Sequence, residues 1–142
     1  YMTTNFYQMM FKACHAQRNR IRQNMKEMGL SPGQPKVLRY LAGHEECMLK
    51  DIAEACDVEN ATISRILNNL EEQEMIKREV VKNNKRALSI TILPKGEQAL
   101  AAWEDHCKEV ENHSLEGFSE EEIELFKDYL HRMYHNLTGK HF

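Results

Sequence analysis

The stretch spanning residues 50–96 constrains this chain most, because the period of its apolar residues changes partway along. From residue 50 to 56, and again from 60 to 73, the pattern is helical. In the second segment Ile63, Ile66, Leu67 and Leu70 recur at intervals of three and four, which gathers them on one buried stripe. Asp57-Val58-Glu59 separates the two helices as a tight turn. Over residues 76–81 and 87–92 the pattern switches to β-branched residues in near alternation, the signature of a hairpin, with Lys82-Asn83-Asn84-Lys85-Arg86 as its turn. Two short helices across a turn, followed at once by a hairpin, make a winged helix-turn-helix.

The face of the second helix opposite its apolar stripe carries Asn60, Ala61, Thr62, Ser64, Arg65, Asn68 and Asn69. A solvated face normally draws on Lys and Glu. Small, hydroxyl, amide and guanidinium groups together are instead those that read base edges and hold phosphates. Arg65 is the expected main contact, with Thr62, Ser64 and Asn68 beside it. Lys82, Lys85 and Arg86 put three cations and no acid at the hairpin tip, which suits a phosphate backbone or a narrow minor groove. A polar tip is common on solvated turns, and its position directly after the two-helix unit is what favours nucleic acid.

A net charge of −3 looks wrong for such a partner until it is divided by region. Residues 60–96 hold seven Lys and Arg against four Asp and Glu, whereas residues 97–142 hold four against eleven. The positive charge sits where the recognition helix and wing are expected. Four cysteines, Cys14, Cys47, Cys56 and Cys107, form no C-x-x-C pair, so neither a disulfide framework nor a thiolate zinc knuckle is expected. No apolar run approaches bilayer length and no charged-then-apolar leader is visible, so a cytoplasmic protein without a membrane partner is expected.

The flanks read as helices. Residues 5–28 lack Pro and Gly and stop at Gly29. Ser31-Pro32-Gly33-Gln34 reads as a capping signature for a helix to about Ala42. Pro94 is suited to open another helix to about His113, and Ser119-Glu120-Glu121-Glu122 is a second capping box. With 142 residues, helices at both ends are too many to cover one small winged domain, and their apolar residues imply a second copy and a two-fold homodimer. The expected architecture is mainly α with a small β-wing. Residues 1–30 form an N-terminal dimerisation helix, 31–96 the winged helix-turn-helix and 97–142 C-terminal dimerisation helices.

This order of elements, with Leu30-Ser31-Pro32-Gly33-Gln34 ahead of the helix-turn-helix, resembles the multiple antibiotic resistance regulator (MarR) family over nearly the whole chain. The most specific element is the family's wing pattern D-x-R-x-x-x-L-x-L-T-x-x-G. Arg86, Ile90, Ile92 and Gly96 match it, whereas Asn84 stands for the Asp and Leu93 for the Thr. A further departure is Glu74, where relatives often end the recognition helix with Gly. The resemblance implies a homodimeric transcription factor, usually a repressor, on a pseudopalindromic double-stranded DNA operator, with one recognition helix per major-groove half-site and wings on flanking minor grooves. It also implies release by a small anionic or aromatic effector, while some relatives answer to metals or peroxides.

Candidates exist for each signal. Arg18 and Arg22, one turn apart, are placed to hold a carboxylate beside Met25, Met28 and Tyr40; alternatively these arginines are solvated or paired to acids of the partner copy. His131 and His135 have chelating spacing, and His106, Cys107 and His113 with Glu109 and Glu111 form a looser group, as do His44, Glu45, Glu46 and Cys47. None has a spacing that fixes a metal site, so none is expected. Cys14 is better read as a small core residue than as a peroxide sensor. The chain lacks a Gly-rich phosphate loop, a G-x-S-x-G elbow and an H-E-x-x-H helix, so neither catalysis nor a cofactor is expected. A metal- or thiol-responsive regulator of the same fold, or a winged domain used only for protein contacts, is the alternative.

Overall fold

Ten segments follow one another with little connecting chain. The structure, a computed structural model, describes residues 1–142, the side chain of Lys85 excepted. Helix α1 spans Phe6–Arg22 and is followed by a 3-10 turn, Lys26–Met28. Helix α2 spans Gln34–Ala42, strand β1 Glu46–Met48, helix α3 Leu49–Cys56 and helix α4 Asn60–Glu72. Strands β2 (Ile76–Val81) and β3 (Asn84–Ile92) form the hairpin, and helices α5 (Pro94–Ser114) and α6 (Glu120–Thr138) complete the chain. The contacts divide it into two units, Tyr1–Cys107 and Lys108–Phe142.

The core of the first unit is built where the sequence pattern places it. Val37, Leu38 and Leu41 of α2, Ile52, Ala53 and Cys56 of α3, and Ile63, Ile66, Leu67 and Leu70 of α4 are all buried in one cluster. At about 1.5–3 kcal/mol for each large aliphatic side chain, the α4 stripe alone is worth several kcal/mol, enough to hold a helix that has no side-chain hydrogen bond at its N-cap, Glu59. Two tight helix ends shape the helix-turn-helix. After α3, Asp57 turns left-handed at φ 56°, and the Val58 N–H donates to the Ala53 carbonyl at 3.0 Å. After α4, Glu74 does the same at φ 61°, with Met75 N–H donating to the Leu70 carbonyl at 3.0 Å and Glu74 N–H to that of Glu71 at 3.0 Å. These are the paired bonds of a Schellman end, made here without glycine.

The sheet has three antiparallel strands in the order β1-β3-β2. Strand β1 is not foreseen in the sequence; its three residues pair with Ala87, Leu88 and Ser89 of β3. Ile76 of β2 pairs with Ile92, and the register slips between Val80 and Val81 so that Val81 faces Asn84. The turn is therefore Lys82-Asn83, shorter than the five residues the sequence suggests, and residues 84–86 extend β3. Gly96, in the first turn of α5, lies so close to the chain leaving α4 that an added Cβ would stand 2.3 Å from the Met75 carbonyl oxygen. That close approach is why only glycine fits there.

Two expectations at the N-terminal side are corrected. The helix foreseen over residues 5–28 ends at Arg22, because the chain tightens and then reverses through Gly29 (φ 75°) to bring both Met25 and Leu30 into the core. Ser31 is not the N-cap of α2. Pro32-Gly33 forms a turn closed by Gln34 N–H on the Ser31 carbonyl at 3.1 Å, Gly33 becomes the N-cap, and the Gln34 side chain reaches back to accept the Ser31 N–H at 2.9 Å.

In the second unit, Gly117 (φ 85°) turns the chain towards α6. The capping box at Ser119 is complete: Ser119 Oγ accepts the Glu122 N–H at 3.1 Å, and the Glu122 carboxylate accepts the Ser119 N–H at 2.8 Å. That backbone hydrogen bond, reinforced by the Ser119 hydroxyl, holds the Glu122 carboxyl below its ordinary pKa. No residue of α6 is buried, and Leu125, Phe126, Tyr129, Leu130 and Leu137 are exposed.

Candidate nucleic-acid interface

Burial of the apolar stripe fixes which side of α4 faces out. Asn60, Ala61, Arg65 and Asn68 are exposed, and Thr62, Ser64 and Asn69 are half-buried beside them. The seven residues picked from the sequence are thus brought onto the side of α4 away from the core. Arg65 has no acidic partner among the described residues. Asn68 is held by strand β2: its amide oxygen accepts from Arg78 Nη2, while Arg78 Nε reaches the Glu71 carboxylate at 3.4 Å. Arg78 is a residue that sequence reasoning misses, because helix spacing says nothing about a strand ten residues further on.

The wing presents Lys82 and Arg86 exposed, and the side chain of Lys85 lies outside the described residues. Asn84 Oδ1 accepts the backbone N–H of Arg86 at 3.0 Å. The amide therefore shapes the turn through the Arg86 backbone. On β2, Lys77 pairs with Glu79 at 3.3 Å across the surface.

A cavity of about 300 Å³ lies in the same unit. Helix α1 and the segment after it contribute Arg18, Ile21, Arg22 and Met25. Pro32, Gly33, Pro35, Lys36 and Arg39 close a second side, and Trp103 of α5 a third. His106 fixes the α5 wall to α1, its Nε2 lying 2.8 Å from the Ile21 carbonyl and 3.2 Å from that of Arg20, two of the acceptors left open where the helix ends. Arg39 is paired with Glu104 at 3.1 Å, but Arg18, Arg22 and Lys36 have no acidic partner among the described residues. Three uncompensated cations around apolar and aromatic walls suit an anion with a flat apolar body. Of the three ligand residues read from the sequence, Arg18 and Arg22 line this cavity together. Tyr40 does not; its ring stacks on His44 with centroids 3.9 Å apart. Lys36, Arg39 and Trp103 were missed, although Lys36 and Arg39 repeat on α2 the one-turn cationic spacing that marks Arg18 and Arg22.

Among the other sensor candidates, Cys14 of α1 is a half-buried free thiol. Burial pushes the Cys47, Cys56 and Cys107 thiols up, away from the reactive thiolate. His113 pairs with Glu116 at 3.3 Å, and His131 with His141 at 3.2 Å. Among the described residues, no group of three His, Cys, Asp or Glu is arranged to hold a metal ion, and no helix is long and apolar enough to cross a membrane.

Comparison with known proteins agrees with this geometry. Residues 30–88, which carry α2 to the middle of β3, match the model of the MarR family. The transcriptional regulator BilQ of Clostridioides difficile, a helix-turn-helix type, is 26% identical over 107 residues, covering 75% of this chain and 72% of that protein. The solved structure of the transcriptional regulator SlyA superposes with a TM-score of 0.83 at 28% identity, covering 94% of each chain. MepR of S. aureus, solved in complex with DNA, superposes with a TM-score of 0.81 at 26% identity over 94% of this chain and 97% of that one.

Proposed function

The chain belongs to the MarR family of DNA-binding transcriptional regulators, and from that premise we propose that it is a homodimeric repressor, without enzymatic activity, released from a pseudopalindromic operator by a small anionic effector. The observation that carries the proposal is the polar face of α4, set out of the core by its buried stripe with Arg65 uncompensated, beside a wing that presents Lys82 and Arg86. In this reading Asn60, Ala61, Thr62, Ser64, Arg65, Asn68 and Asn69 meet the major groove, and Lys82, Lys85 and Arg86 meet the flanking minor groove.

Support for the dimer comes from the exposed apolar side chains of α1, among them Phe6, Tyr7 and Phe11, and of α6, which water would disfavour. Support for the effector comes from Arg18, Arg22 and Lys36 around the cavity. Pro32 and Gly33 line that cavity, and Gly33 packs against Ile66 of the recognition helix, where an added Cβ would stand 3.0 Å from Ile66 Cδ1. An occupant that displaces this turn therefore has a direct mechanical route to α4.

The test is selection of bound fragments from genomic DNA, followed by titration of one selected duplex in increasing salt. The proposal expects a two-fold related motif and a salt slope of several phosphates. Recovery of fragments with no common motif would overturn it. Light scattering at low micromolar concentration is expected to give about twice the 16.7 kDa of one chain, and a monomer that occupies a full operator would refute the dimer.

A further inference from the structure

We infer that Arg78 sets base preference without touching DNA, by holding the Asn68 amide oxygen so that Asn68 meets the major groove chiefly as a donor. The inference rests on α4 being the recognition helix. Asn68 is exposed on α4, one turn beyond Arg65, and its amide carries one acceptor oxygen with two lone pairs and two donor hydrogens. Arg78 comes from β2 and has donors only, so whichever atom of the amide faces it must be the oxygen. The Asn68 oxygen is thereby turned towards Arg78 with one lone pair engaged, and Nδ2, which has no partner among the described residues, is the atom freer to meet a base.

Glu71 makes the clamp specific. It lies on α4 one turn after Asn68 and binds Arg78 Nε at 3.4 Å, so the guanidinium spans two side chains of the same helix face. A planar fork serves both in fixed directions, whereas the three donors of an ammonium are not held in one plane. Glu71 also offsets the charge of Arg78, so Arg78 acts as a positioning residue and Arg65 remains the uncompensated cation on this face.

The consequence for recognition follows from base-edge chemistry. A free asparagine favours adenine, accepting from N6 while donating to N7. With its oxygen held by a cation, Asn68 offers a base mainly its donors. Guanine offers N7 and O6 side by side as acceptors, whereas adenine offers N7 and presents an N6 donor that must compete with Arg78 for the Asn68 oxygen. The clamped Asn68 therefore favours guanine over adenine at the base pair it meets in each half-site.

The experiment is selection from a pool of randomised duplexes by the full chain, wild type against Arg78→Met and Asn68→Asp, at one salt concentration. Wild type is expected to enrich guanine at one position per half-site. Arg78→Met releases the Asn68 oxygen and is expected to shift the guanine-to-adenine ratio there by about tenfold towards adenine, with preferences elsewhere unchanged. Asn68→Asp keeps the Arg78 partner and replaces the donor by an acceptor, so the same position is expected to move towards cytosine, whose N4 donates. An unaltered motif in a folded Arg78→Met protein, or a loss of affinity equal for all sequences, would overturn the inference, since either makes Arg78 a structural or phosphate-binding residue. If Arg78→Met does not fold, Asn68→Asp decides alone, and an unchanged motif again overturns the inference. Failure of the wild type to enrich any motif would instead refute sequence reading by α4 itself.

Discussion

Helices α4 and α6 carry similar apolar spacing and meet opposite fates. In α4 the stripe of Ile63, Ile66, Leu67 and Leu70 is fully covered within one chain, while in α6 the residues at comparable spacing, Phe126, Leu130 and Leu137, stay exposed. Periodicity states that a helix has an apolar face; it does not state whether the same chain supplies the cover. Charge and capping separate the two. The outer face of α4 holds amides, hydroxyls and an arginine and the helix begins without a side-chain cap, whereas α6 opens with a full capping box and three glutamates. A helix that its own chain does not bury depends more on local signals.

The largest expected effect tests that contrast directly. Leu67→Ala removes a fully buried side chain and is expected to cost about 2–5 kcal/mol in denaturant unfolding. Leu130→Ala on α6 is expected to leave the fold of its own chain nearly unchanged and to weaken self-association, read as a rise in the dimer dissociation constant by sedimentation. Equal loss of stability in both variants, with no change in association, would mean that α6 is covered within its own chain.

Next in size is recognition. Arg65→Ala is expected to cost about 1–3 kcal/mol per half-site and to relax base preference. Titration against the selected operator and a scrambled duplex decides, because an equal loss on both would make Arg65 a phosphate contact only.

Capping gives a smaller effect of opposite distribution. Ser119→Ala is expected to cost about 1 kcal/mol, read as lost helix content, while Glu59→Ala at the uncapped start of α4 is expected to cost little. The pH dependence carries the same sign. Glu122 has a lowered pKa in the folded chain, so its contribution is present above the unfolded carboxyl pKa and is lost as pH falls through the lowered value. Helix content that falls equally for both alanine variants would break the contrast.

The sequence reveals elements whose signals are local. The α4 stripe, β2 and the Ser119 box are legible because periodicity, β-branching and capping act within a few residues. Strand β1 is not, since Glu46-Cys47-Met48 is too short to display a period and exists through its pairing with β3. The site divides in the same way. The outward face of α4 follows from its buried one, but the Arg78 clamp joins residues of a helix and a strand, and the cavity gathers Arg18, Arg22, Lys36 and Trp103 from three helices. Spacing along the chain could pair Arg18 with Arg22 and had no means to exclude Tyr40, whose ring turns to His44.

The smallest expected effect lies at the end of α4, where packing overrides local preference. Glu74 holds a left-handed backbone at φ 61°, a conformation that costs a residue with a Cβ about 1–2 kcal/mol, and it persists because Met75 and Ile76 directly after it are buried. Glu74→Gly removes that strain but gives the unfolded chain more freedom, which returns about 0.4–1 kcal/mol. The net expectation is a gain of roughly 0.5–1 kcal/mol, seen as a higher midpoint in denaturant. Asp57→Gly at the equivalent end of α3 is expected to gain less, because aspartate tolerates the left-handed region better. Glu74→Ala retains the Cβ and serves as the control. A gain in the alanine variant equal to that in the glycine variant would trace the effect to the lost carboxylate, leaving the strain argument without support.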